Sequence, residues 1–584
     1  MKARNSAYQA LGTEPVALGG LTMITRREIL HVGAATAALA VDGALMRAVA
    51  QQRLNESELF RFDALGNVTL LHVADIHGQL MPVYFREPSV NLGVGEAKGQ
   101  PPHITGQDFL RRFDIPVRSA LAYALADQEF ETLAKSYGRI GGLDRLATAV
   151  KHVRAERGND KVLFLDGGDT WQGSLGANRS RGQDMVDCMA LLKPDAMTGH
   201  WEFTYGETRV KELIASLGFP FLALNIRDTE WNEPAFESMK MFEKGGVKIA
   251  VLGQAFPYTP VANPRWLMPK WSFGIREEDV RTNVDKARKA GAQLVVLLSH
   301  NGFDVDRKLA SRVSGIDVIL TGHTHDALPE ALKVGNALLV ASGSHGKFLS
   351  RLDLDVQDGM VKDFRYRLIP LFADAIKPDV EMAAAIAKAR EPYSKELARE
   401  VGRADSLLYR RGNFNGTFDD LICEALLKER DAEIALSPGF RWGTSVLPGQ
   451  TITIEDIHNA TAITYPQAYR TSMTGERLKD VLEDVADNLF NPDPYYQQGG
   501  DMVRCGGLGF AIDVSKTMGQ RISAMTHLNS GKTIEPKKEY VVAGWASVNE
   551  GTEGPPVWEL VERHIAAAKV VRVTPNTSVK ISGG

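Results

Sequence analysis

Five short blocks of histidine and carboxylate recur through the first half of the chain. They are Asp75-Ile76-His77, Gly167-Gly168-Asp169, Gly199-His200-Trp201-Glu202, Ser299-His300-Asn301 and Gly322-His323-Thr324-His325. Imidazole nitrogen and carboxylate oxygen are the ligands that first-row divalent metals take, and a set of this size suits two ions. Asp75 and His77, like His323 and His325, alternate along the chain, so each pair can point to one side of an extended backbone. Two glycines before Asp169 permit a sharp turn that brings its carboxylate to a spot where it can bridge two cations. The blocks predict one ion on Asp75, His77, Asp169 and His325, and another on Asp169, His200, His300 and His323. Two cations about 3.5–4 Å apart can hold a bridging water, lower its pKa and neutralise an oxyanion during in-line displacement. The chemistry expected is hydrolysis of a tetrahedral oxyanion such as a phosphate or a sulfur oxoanion. Manganese, zinc and iron all suit this ligand mixture.

Four of the five blocks directly follow a short apolar run: LLHVADIH, VLFLDGGD, LVVLLSH and VILTGHTH. Each run is short and rich enough in branched residues to be a buried strand, and helical patterns lie between them. Alternating strands and helices imply an α/β fold, in which polar residues at the carboxyl ends of strands form the ligand rim. The first domain, residues 51–373, is expected to be a sandwich of two β-sheets flanked by helices. Residues 374–401 read as a charged linker helix with a break at Pro392. Residues 402–584 form a second α/β unit, with helices over FDDLICEALLKE and GERLKDVLEDVADNL. The stretch from Gly78 to about Gly106 is rich in Gly and Pro and has no sustained period. Its length, with Tyr84, Phe85, Val90 and Leu92, predicts a loop that packs near the site. The stretch Tyr137–Leu143 is expected to open a helix that runs to about Ala155, with Leu143, Leu146, Ala147 and Val150 on its apolar face. Asn225 ends the run FPFLALN, either at the same rim or as a plain turn residue.

The composition is globular, with 44% hydrophobic and 24% charged residues and a formal charge of −4. No basic stripe points to nucleic acid. Thr25-Arg26-Arg27 precedes the weakly apolar run HVGAATAALA, and Ala48-Val49-Ala50 supplies small residues after it. This order predicts a twin-arginine signal over residues 1–50 and a periplasmic mature chain with a charge of −6. No later stretch is long and apolar enough to be a membrane helix. Cys188, Cys423 and Cys505 are too few for a disulfide framework, and no C-x-x-C pair is present.

The order D-x-H, G-G-D, G-[NH]-x-E, S-H, G-H-T-H resembles the calcineurin-like metallophosphoesterase superfamily, and specifically its 5′-nucleotidase branch. IALSPGFRWGTSVLPGQTITIEDI and MTGERLKDVLED resemble that branch's C-terminal substrate domain. That family carries Gly-Asn-His-Glu or Gly-Asn-His-Asp at the third block, where Asn binds metal and His assists catalysis. Here His200 takes the metal slot and Trp201 the catalytic one. Tryptophan cannot protonate a leaving group near neutral pH, so ordinary phosphate-ester hydrolysis is disfavoured.

With PVYFREPSVNLGVGEAKGQPPHITG and YYQQGGDMVRCGGL, this substitution resembles the SoxB-type thiosulfohydrolases of bacterial sulfur oxidation. The resemblance implies a periplasmic dimanganese hydrolase and a monomer. It implies a cysteine S-thiosulfonate substrate on the C-terminal arm of the SoxYZ carrier protein, cleaved with release of sulfate. A sulfur anion leaves with little general-acid help, which agrees with Trp201. Arg441 matches a nucleotidase arginine that contacts substrate. Arg411 and Arg504 read as surface ion-pairing arginines, with substrate contact the lesser alternative. Tyr495 and Tyr496 could line a channel for the arm or pack in the core. The rival readings are a periplasmic 5′-nucleotidase and a non-catalytic carrier-binding or metal-storage protein.

Overall fold

The computed structural model describes residues 54–583. The signal and cleavage site expected over residues 1–50 lie outside them. The chain folds as α/β, with two large sheets in its first part and smaller sheets in its second.

The first sheet contains β1 (Val68–Val73), β2 (Val162–Asp166), β3 (Ala196–Met197) and two strands from further along the chain. The second contains β4 (Met239–Lys244), β5 (Val247–Gln254), β6 (Leu294–Ser299), β7 (Val318–Thr321), β8 (Leu332–Val334) and β9 (Ala337–Ala341). β10 (Phe348–Gln357) and β11 (Met360–Pro370) then return to the first sheet. The strand orders are β11-β10-β1-β2-β3 and β8-β9-β7-β6-β5-β4. β1, β2, β6, β7 and β9 are buried along their whole length. Such strands have both faces covered, which accounts for their unbroken apolar runs. β1 pairs parallel with β2, β2 with β3, and β6 with both β5 and β7. The motif blocks therefore leave parallel strands at one common end. Both sheets contribute to one apolar core with the helix Leu143–Arg157.

Beyond β11 the helix Val380–Arg390 is capped by the Asp379 side chain, which accepts from the amide of Met382. Pro392 ends it in a short 3-10 turn, as its missing N–H requires. The second part has a four-stranded sheet built on Ile434–Gly439, with the helices Thr417–Glu429 and Val557–Ala568 against each other. Leu175 and Trp201, from the first part, belong to the apolar core of the second.

Three buried arginines brace the second part. Arg410 and Arg504 each donate to Asp419, at 2.8 and 3.2 Å. Arg504 also reaches Asp501 and the carbonyl oxygens of Arg410, Gly412 and Met502. Arg411 is 3% exposed and donates to the carbonyl of Thr324 in the first part. Arg411 and Arg504 are thus buried, not the surface arginines that their sequence context suggests. Asp501 and Asp419 supply the buried counter-charge that makes this possible. Replacing Asp419 with Asn leaves Arg410 and Arg504 short of that charge. The variant is expected to lose about 3–5 kcal/mol of stability, read as a lower urea midpoint at unchanged slope.

Candidate metal centre

Three of the five ligand blocks turn out of their strands through left-handed residues. φ is +56° at Asp75, +51° at His77, +57° at Asp169, +75° at His323 and +60° at His325. Aspartate and histidine tolerate this region better than most residues, and such strain concentrates at functional sites. The turns are held by their neighbours. The amides of Asp75, His77 and Gly78 donate to the carbonyls of Gly168, Asp169 and Thr170, at 2.8, 2.8 and 3.0 Å. The buried Glu202 carboxylate accepts from the amides of Asp169, Thr170, Trp171 and His200. One acidic side chain thereby clamps two ligand loops together.

The side chains of all seven predicted ligands converge and are buried. Asp169, His200, His300 and His323 form one group, and Asp75, His77, Asp169 and His325 another. Within each, one ligand atom per residue lies within 4.8 Å of all the others. Asp169 Oδ2 is 3.0 Å from His300 Nε2, 3.3 Å from His200 Nδ1 and 3.6 Å from His77 Nε2. Asp75 Oδ1 is 3.3 Å from His325 Nε2.

The donor set fits two divalent cations. His300 Nδ1 donates to the carbonyl of Gly167 at 2.6 Å, which leaves the Nε2 lone pair facing Asp169 and Asp75. Lone pair against carboxylate is repulsive unless a proton or a metal lies between. His77 Nε2 and His325 Nε2 also face each other, at 3.0 Å. Asp75 Oδ2 and His200 Nε2 are buried without a hydrogen-bond partner among the described residues.

Without metal the cluster holds a proton instead. Burial alone lowers His300, but Asp169 and Asp75 outweigh it and raise it to about 10. Burial would raise Asp169, yet His200, His300 and His77 hold it well below the usual carboxylate range. Asp75 is pushed well up, first by burial and then by Asp169 and Asp166. Burial takes His77 down to about 4, so it presents a neutral lone pair. Metal loading must therefore expel the His300 proton.

The second part completes the shell. Gln498 O accepts from His323 Nε2 at 3.1 Å, leaving Nδ1 for the metal. A Cβ built on Gly499 would meet His323 Nε2 at 2.3 Å, so only glycine lets the chain pass there. Arg441 donates to Asp501 at 3.3 Å, and its Nη1 has no hydrogen-bond partner among the described residues, like Nε and Nη1 of Arg411. Trp201 donates its amide to Asp169 Oδ1, while its ring packs edge-on to Phe440 and Trp442. Trp201 is 5% exposed, so the residue in the helper slot serves the interface between the two parts.

Other expected residues fall elsewhere. Asn225 bonds the backbones of Ala255 and Gly274 and is a turn residue. Tyr495 donates to Glu277, and Tyr496 is exposed. The stretch 78–106 lies over the site. Its Leu92 amide donates to Asn413 Oδ1, its Arg86 amide to Ser445 Oγ, and its Glu87 pairs with the buried Lys347.

Two residues absent from the expected set touch the ligands. Phe256 lies between the rings of His200 and His323, with centroids at 4.1 and 4.0 Å. His345 donates its amide to the carbonyl of Asp75, and its Nε2 accepts from Gly443 in the second part. It follows the buried strand β9 at a histidine-glycine pair, a pattern close to that of the other blocks. Phe256 had no comparable signal.

Residues 400–560 match the family described as the 5′-nucleotidase C-terminal domain. The snake venom 5′-nucleotidase of Naja atra is 28% identical over 324 residues, or 49% of this chain and 59% of that protein. The Rattus norvegicus 5′-nucleotidase is 25% identical over 430 residues, 66% of this chain and 72% of that one. Among solved structures, the Thermus thermophilus sulfate thiohydrolase SoxB in complex with glycerol is 35% identical, with a TM-score of 0.87. That match covers 90% of this chain and 98% of the other. A 5′-nucleotidase precursor, also from Thermus thermophilus, at 20% identity and a TM-score of 0.69, shares the fold over 89% of this chain and 100% of its own.

Two outcomes test the centre. Asp169→Asn removes the carboxylate common to both groups and is expected to lower bound metal from two ions per chain to one or none by elemental analysis. Gly499→Ala pushes the covering loop off His323 and breaks its bond to Gln498. It is expected to weaken the group holding His323 about 10–100-fold in metal affinity, while the group holding His77 keeps its metal in a competition titration.

Proposed function

This chain belongs to the SoxB family of metal-dependent hydrolases, and from that membership we propose that it is a thiosulfohydrolase. Its substrate in this reading is a cysteine S-thiosulfonate on the C-terminal arm of the SoxYZ carrier protein, and its product is sulfate. The observation that carries the reading is the placement of Trp201. In the slot where nucleotidases keep a helper imidazole, an indole is buried against Phe440 and Trp442. An alkoxide leaving group needs a proton from such a helper, whereas a sulfur anion of low pKa does not.

Asp75, His77, Asp169 and His325 would hold one ion, and Asp169, His200, His300 and His323 the other. Bound there, two divalent cations, manganese in this reading, supply an acidified water and neutralise oxyanion charge. The protein's own groups do the rest. Arg411 and Arg441, buried beside the centre with N–H groups that lack hydrogen-bond partners among the described residues, are suited to the sulfonate oxygens. Water oxygen bonds to the terminal sulfonate sulfur as the bond from that atom to its neighbouring sulfur breaks, giving sulfate. The electron pair stays on the neighbouring sulfur as a persulfide anion on the carrier's cysteine, and the attacking water's protons are released. The Gln498–Gly500 loop and the stretch 78–106 limit solvent at the reacting sulfur. The expected twin-arginine signal places the mature chain in the periplasm. Among the described residues no helix is long and apolar enough to cross a membrane.

The 5′-nucleotidase relatives motivate the alternative, phosphate-ester hydrolysis. Manganese-loaded protein is expected to release sulfate from carrier-bound thiosulfonate and to leave AMP essentially intact, with sulfate and phosphate assayed side by side. Rapid hydrolysis of AMP with none of the thiosulfonate would overturn the proposal.

A further inference from the structure

We infer that His103, held by Asp304, supplies the positive charge that stabilises the departing sulfur anion. The inference rests on the thiosulfonate reading, but its grounds are separate. A narrow cleft runs between the two parts of the chain and reaches His323 of the metal centre. Its walls include Asn91, Leu92 and His103 from the stretch 78–106, His323 from the centre, and Arg441 and Gly499 from the second part. His103 is thus an imidazole on the path to the ligands that is not itself a ligand.

The ring is well fixed. Its Nε2 donates to Asp304 Oδ2 at 2.7 Å, and the two side chains are 13% and 10% exposed. Asp304 lies in the first turn of the helix Phe303–Arg312, directly after the His300 block. A Cβ built on Gly93 would come within 2.7 Å of the His103 ring, so the chain there runs flat against it. His103 Nδ1 and Asp304 Oδ1 are both buried without a hydrogen-bond partner among the described residues.

The charges around the ring favour its protonated form. Burial lowers His103, but the bond to Asp304 and the carboxylates of Asp304 and Asp326 outweigh it and raise it above its usual value. Arg441, across the cleft, opposes this in part. Burial would raise Asp304, but the bond to His103 and the charges of His103 and Arg307 hold it below its usual value. As the S–S bond breaks, negative charge grows on the carrier's sulfur on the cleft side of the centre. A protonated imidazole on the cleft wall stabilises that charge without giving up its proton, which a leaving group of low pKa does not require. The work done by a proton-donating helper in nucleotidases is done here by a fixed cation on a different element.

The reaction needs His103 protonated, so its rate falls as pH rises through the raised pKa of the pair. The test uses manganese-loaded full-length protein and a carrier-arm peptide carrying a cysteine S-thiosulfonate, with kcat and KM measured against pH and metal content checked in each variant. His103→Gln is expected to lower kcat about 100–1,000-fold, with little change in KM, and to abolish the alkaline fall. His103→Lys, which restores the cation, is expected to recover much of the rate and move the fall to higher pH. Asp304→Asn is expected to move the fall to lower pH. Unchanged kcat in His103→Gln, or a loss that Lys does not recover at full metal content, would overturn the inference alone. Wild-type protein that does not cleave the thiosulfonate would overturn the reading beneath it as well.

Discussion

The carboxylate of Asp169 is the constraint on which the rest of the architecture turns. Three imidazoles approach one of its oxygens within 3.6 Å, and its other oxygen accepts the amide of Trp201. Concentrating so many ligand atoms in a buried space is unfavourable unless cations or protons lie among them. The fold accepts this cost and adds left-handed backbone at five ligand residues. Glu202 offsets part of it by satisfying four amides at once, so the two loops that flank Asp169 behave as one body.

The second part of the chain is a component of the centre, not only a neighbour. Gln498 sets which nitrogen of His323 is free, Gly499 lets the backbone close over that ring, and Gly443 holds His345 from the same side. Trp201 passes the other way, into the second part's core. These contacts tie the position of Arg441 to the position of the ligands, because one short segment carries Phe440, Arg441, Trp442 and Gly443. A shift between the parts would therefore be felt at the metals and at the arginines together.

The exchange of a helper histidine for Trp201 has a matching physical consequence on each side. In the proposed reaction the chemistry lacks a proton donor at this slot, which suits an acidic sulfur leaving group. The structure gains a large apolar contact between the two parts, where aromatic rings meet edge to face. One residue thus bears on the proposed substrate class and on the contact between the two parts.

Much of this was legible in the residues alone. Short apolar runs ending in Asp, His or Gly-Gly-Asp marked buried parallel strands and the rim they share. The seven candidate ligand residues stood out by type and spacing, and the folded chain brings them together in the two groups expected. Pro392 ended its helix because it lacks an N–H, a purely local matter. What only the tertiary structure decided depends on residues distant in the chain. Arg411 and Arg504 read as surface arginines because nothing local reveals that Asp501 and Asp419 await them in the interior. Phe256, Gln498 and Gly499 carry no motif, and their roles arise from what packs against His323. His103 sits in an irregular stretch with no period to place it, and only the folded chain sets it beside Asp304. Strand ends are encoded locally by apolar pattern, whereas the pairing of buried charges across two folding units is encoded by their meeting.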